Sequence, residues 1–236
     1  MDFSNFDTLA KMDLQELGVI FLALLGIGFL CNVLIVVYGM KDQSLKRFVL
    51  SQSLFVSCLA VLSFFALSVW LYGFNQFCYF VFVLLCLFYI LSYIDCLLLA
   101  VPDLLNFLTL FVVVAGLYYF EMSEINFLAM LAAAGAFSLL KIFGSFVFRK
   151  EIMGEADIVV VASMGGFLGL RESVYFVFVA CVLALVFILF QALIHLRDKQ
   201  VNALTLKLPF VAFLFMGFLL ILVDKHYKTF LGLLGA

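Results

Sequence analysis

The sequence predicts an all-α integral membrane protein, a bundle of about eight transmembrane helices, and three observations carry that prediction. Of 236 residues, 68% are hydrophobic and only 12% charged, and the mean hydropathy is +1.30. An ordinary soluble domain is about half apolar and about a quarter charged, so water is not the main solvent of this chain. Backbone polar groups inside a bilayer need internal partners, which leaves helices or a closed barrel. The apolar runs extend over about 20 residues without period-two alternation, which fits helices and excludes short amphipathic strands.

Taken in order, the spans are expected near 15–40, 48–72, 78–101, 104–120, 125–147, 154–170, 173–196 and 208–223. Asp2, Asp7, Asp13 and Glu16, with only Lys11 against them, precede the first span. That flank is wrong for a cleaved secretory signal, so the span is expected to stay. Lys41, Lys46 and Arg47 separate the first two spans. The third ends near Asp95, and Pro102 opens the fourth because proline suits a helix start. Lys141, near the end of the fifth, has the reach to snorkel to the surface. The sixth opens at Gly154-Glu155-Ala156-Asp157, with Glu155 read as solvated. The seventh ends near His195, and the longest polar connection leads from there to Lys207 and the last span. With no Ser/Gly linker, repeat or second domain evident, residues 1–236 are read as one transmembrane domain.

Arg149, Lys150, Arg197, Lys199 and Lys207 join the first loop's cations on one side, which the positive-inside rule makes cytoplasmic and which sends both termini outward. Net charge is −2 and no basic cluster exceeds two neighbours, so nucleic-acid binding lacks electrostatic support. The six cysteines, at 31, 58, 78, 86, 96 and 181, include no CxxC pair and are read as packing residues, leaving no expected metal or organic cofactor.

Carboxylates in or near a bilayer carry the information in so apolar a chain, since each costs about 2.5–3.5 kcal/mol at a helix centre. Asp95, Asp103 and Asp157 all fall toward the same predicted face. Two carboxylates held within a few Å resist ionising together and keep one proton between them, so one serves as acid and the other as base. Such a pair activates water for hydrolysis. His195 and His226 fall on opposite predicted sides, and neither GxSxG nor HExxH occurs. Each acid also has a plainer reading: Asp103 as the N-cap of the fourth span, and Asp95 and Asp157 as structural, snorkelling or transport-site groups. Asn32, inside the first span, is read as bonding a neighbouring helix.

Asp95, followed seven and eight positions later by Pro102-Asp103, resembles the first signature of the bacterial type IV prepilin peptidases. Arg149 to Asp157, continuing through Gly165-Gly166-Phe167-Leu168-Gly169, is similar to their second, which surrounds a GxGD motif. Lys207-Leu208-Pro209-Phe210 resembles the Pro-Phe before their last helix, so coverage runs from about residue 90 to 220. The resemblance implies an intramembrane aspartyl peptidase with Asp95 and Asp157 catalytic and Gly154, Ala156, Pro102, Asp103 and Pro209 in support. It also implies prepilin or pseudopilin substrates cut after a glycine, at the cytoplasmic face of a bacterial inner membrane.

Two positions depart from that family. Ala156 replaces the second glycine of GxGD, where a backbone needing positive φ is strained by a Cβ. The loop from Lys41 to Arg47 has no cysteine, whereas many members carry paired CxxC motifs associated with N-methylation, so methyl transfer and zinc are not expected here. A proton-coupled transporter using the same carboxylates, and a catalytically silent assembly factor of a pilus or secretion machine, stand as the rival functions.

Overall fold

A computed structural model describes residues 14–39, 43–122, 124–149, 153–195 and 208–233. Among the described residues there are eight helices and no strand: α1 (Leu14–Gly39), α2 (Gln43–Tyr72), α3 (Gln76–Leu98), α4 (Asp103–Tyr119), α5 (Glu124–Phe148), α6 (Glu155–Leu168), α7 (Leu170–His195) and α8 (Phe210–Leu233). They follow the expected spans in number and order. Two boundaries differ most. Helix α2 starts at Gln43, so Lys46 and Arg47 belong to its first two turns, and α8 continues past the expected 223 to Leu233, so Lys225 and Lys228 are helical residues. Hydropathy falls at the first charges, whereas the backbone ladder runs on through lysine, which is a good helix former. The acidic flank Asp2, Asp7, Lys11 and Asp13, and the loop cations Lys41, Lys150, Arg197, Lys199 and Lys207, lie outside the described residues.

Helices α1, α2, α3, α5, α7 and α8 are long and apolar enough to cross a membrane. Helix α4 has 17 residues and α6 only 14, or about 21 Å for α6 at 1.5 Å per residue. That falls short of the roughly 30 Å hydrocarbon layer, so α6 must be supported by protein.

The chain divides into two compact units, Met1–Ile90 with Phe230–Ala236, and Leu91–Thr229. In the first, α1 packs on α2, with Ile35 and Val61 fully buried. Ser53 Oγ donates to Asn32 Oδ1 at 2.6 Å, the interhelical bond expected of an asparagine in an apolar span. Tyr89 meets Ser57 through its hydroxyl at 3.3 Å and Phe64 edge-on, ring centroids 5.6 Å apart.

In the second unit α6 is central, packing against α4, α5 and α7, and every residue from Val160 to Leu168 is buried. Only Ala129 and Met130 of α5 are buried, while Leu139, Leu140, Ile142, Phe143 and Phe146 are exposed. An apolar stripe of that size on the outside suits lipid. Helices α7 and α8 approach so closely at Gly217 that an added Cβ would stand 2.6 Å from the Phe176 carbonyl oxygen.

Candidate active site

The end of α3 brings Asp95 to the site. Leu99 takes the left-handed conformation, φ 53°, its amide closing on the Asp95 carbonyl oxygen at 2.8 Å. A left-handed residue just past the last turn ends a helix, and the segment to Pro102 lets the chain restart as α4. Pro102, extended at φ −67° and ψ 125°, occupies the N-cap position without a side-chain cap bond. Asp103 is therefore not the cap expected from sequence. It is the first helical residue, exposed, where its charge suits the positive end of the helix dipole.

Asp95 itself is 6% exposed and caps a different helix. The amide of Val211, in the first turn of α8, donates to Asp95 Oδ2 at 2.9 Å across 116 residues. The first amides of any helix lack intrahelical acceptors, and here the carboxylate of α3 supplies one. Ser92, one turn back on the same face of α3, donates to the Val211 carbonyl oxygen at 3.4 Å. Pro209 immediately precedes this turn and has no amide to satisfy.

Asp157 enters from the first turn of α6, half-buried. Gly154, the N-cap, is extended at φ −69° and ψ 150°, and its amide donates to Asp157 Oδ2 at 3.3 Å. Ala156 is helical, and the positive-φ residues other than glycine among those described are Leu99, Glu121 and Arg149. The strain expected at Ala156 is therefore absent, because a helical turn accepts alanine at no steric cost. Asn106, from α4 and 2% exposed, donates through Nδ2 to the Ala156 carbonyl oxygen at 2.9 Å. Next to Asp157, Glu155 pairs with Lys141 at 2.9 Å, the glutamate side chain 90% exposed. Lys141 thus reaches a carboxylate, and Glu155 stays solvated as read.

Asp95 and Asp157 both lie in the second compact unit, each at the start of a helix whose first amides it accepts from. Two carboxylates brought within a few Å are able to share a proton and to act as acid and base on one water. No cluster of three or more His, Cys, Asp or Glu with metal-holding geometry occurs among the described residues.

The far end of α6 is satisfied just as fully. Its last four carbonyls have named donors: Gly169 N–H (2.9 Å) and Ser173 Oγ (3.2 Å) for Gly165, Asn126 Nδ2 for Gly166 (2.9 Å) and Phe167 (3.1 Å), and Lys225 Nζ for Leu168 (2.7 Å). Gly169 turns the chain at φ 100°, a conformation glycine adopts freely. Sequence reasoning named none of Ser92, Asn106 or Asn126, and Lys225 only as a cation flanking the last span. The apolar runs of α4 and α5 each hold one asparagine, and a polar side chain in such a run is the available signal. Lys225 gives none, since it stands beyond its apolar run.

A family model described as the type IV leader peptidase family matches residues 81–189, which include Asp95, Pro102, Asp103, Gly154 and Asp157. No curated protein matches the chain, and no solved structure does.

Proposed function

We propose, from the match of residues 81–189 to the type IV leader peptidase family, that the chain is an aspartyl peptidase with Asp95 and Asp157 as its catalytic pair. The observation that supports this most is that α3 and α6, from positions 62 apart in the sequence, carry the two carboxylates into one compact unit, each accepting a backbone amide at the start of a helix. In this reading the ionised aspartate takes a proton from water as the oxygen attacks the scissile carbonyl carbon, and the protonated partner gives its proton to the carbonyl oxygen. The tetrahedral intermediate then collapses, the C–N bond breaks and the leaving nitrogen takes a proton from the pair. No covalent enzyme intermediate forms.

The substrates are prepilin or pseudopilin precursors, with a basic leader, a glycine at the junction and an apolar helix that shares the bilayer. Cleavage takes place at the cytoplasmic face of a bacterial inner membrane, both termini of the enzyme lying on the other side. The helical conformation of Ala156 removes the strain that favoured a silent relative.

The test is cleavage of a prepilin-type substrate in membranes carrying the native chain, Asp95→Asn or Asp157→Asn, read by the mass of the new amino terminus. Both variants lose cleavage at native protein levels. Undiminished cleavage by either one refutes the pair.

A further inference from the structure

We infer that Asn106 is a positioning residue for Asp157, holding the peptide group on which that carboxylate is mounted. The inference rests on the aspartyl pair proposed above. Asn106 lies in the first turn of α4, and its Nδ2 reaches the Ala156 carbonyl oxygen at 2.9 Å. The Ala156 carbonyl and the Asp157 nitrogen belong to one planar peptide unit, so this bond fixes the plane from which the Asp157 Cα projects. The other hold on Asp157 is its own contact with the Gly154 amide, at 3.3 Å.

Folding does not require the Asn106 bond. The Ala156 carbonyl lies inside α6, where the ladder supplies a donor from four residues on, so Asn106 adds a second hydrogen bond to an acceptor the helix already serves. The side chain also carries a cost. Its Oδ1 is buried without a hydrogen-bond partner among the described residues, whereas most buried polar atoms are paired. With Nδ2 committed to a carbonyl, the amide cannot turn over to relieve Oδ1. An apolar side chain of the same shape would avoid this penalty. A residue that adds little to the fold and costs something to bury is of the kind found where function opposes stability, and here it touches the residue next to Asp157.

The experiment uses the full chain in membranes or detergent, with Asn106→Leu, which keeps the branching at Cγ. The thermal midpoint stays at or above the native value, and kcat for prepilin cleavage falls about 10- to 100-fold, the scale of a misplacement of up to ~1 Å. KM stays within about twofold, since uniform binding is untouched. The pH–rate profile moves as the spacing of the two carboxylates changes, a response that lost packing alone does not produce. Asn106→Gln, which retains the amide donor, recovers part of kcat. A fall in stability that parallels the lost cleavage, a loss expressed in KM, or native cleavage by the leucine variant each overturns the inference. Asp157→Asn in the same membranes separates the two levels. If it still cleaves, the aspartyl pair itself fails; if it is inactive while Asn106→Leu is native, the role of Asn106 alone fails.

Discussion

Replacing Lys225 with methionine keeps an unbranched apolar stem and removes only the ammonium that bonds the last carbonyl of α6. The geometry fixes the size of the effect. Nζ stands 2.7 Å from the Leu168 carbonyl oxygen, in the range of a charge-assisted bond, and Leu168 is 1% exposed, so water does not readily take over. Hydrogen bonds to charged groups contribute about 1.5–3 kcal/mol, and at 1.4 kcal/mol per decade the unfolded-to-folded ratio rises roughly 10- to 150-fold. Equilibrium unfolding in mixed micelles, followed by far-ultraviolet circular dichroism, reads this as a displaced midpoint with an unchanged slope. Lys225→Arg retains a cationic donor and recovers most of the loss. Asn126→Leu, which removes the donor to two carbonyls, costs at least as much, and the double variant is non-additive because both side chains serve one helix end. Native stability in Lys225→Met, or equal losses in the methionine and arginine variants, would refute the view that the lysine caps α6.

Two further outcomes follow from the other ends of these helices. Asp95→Ala removes the acceptor for the Val211 amide and destabilises the protein by about 0.5–2 kcal/mol, as expected for loss of a helix cap; Asp95→Asn keeps an acceptor oxygen and loses less, which isolates the capping role in an unfolding assay. Ala156→Gly leaves cleavage within a few-fold of native and lowers stability by up to about 1 kcal/mol through helix propensity, because Ala156 is already helical; a gain of cleavage from nothing would instead revive the silent reading.

The helices were legible because their cause is local. Long apolar runs and the scarcity of charge in them set number, order and type, and the six longest helices follow directly from that pattern. Asp95 and Asp157, the proposed pair, stand out by spacing, through the residues they share with a known motif. Their surroundings were not legible, because capping across a fold depends on which helix ends meet. Nothing local in Val211 shows that its amide is capped from 116 residues away. Asp103 was misjudged for the same kind of reason: a proline before it suggests a cap, yet the proline itself takes the cap position and leaves the carboxylate exposed. The expected strain at Ala156 came from the glycine of a motif, whereas backbone conformation is decided by where α6 begins.

The distance in sequence between Asp95 and its amide partner sets the order in which the molecule can mature. Chains are made from the amino terminus, so a nascent chain that has inserted only the first seven helices already contains both Asp95 and Asp157. It has not yet received the Val211 amide, and the carboxylate of α3 is still without the helix end it serves. Completion of this cap therefore coincides with the arrival of α8, the last helix described. A chain released early, or stalled before α8 has entered the membrane, carries both acids without the finished setting that holds one of them.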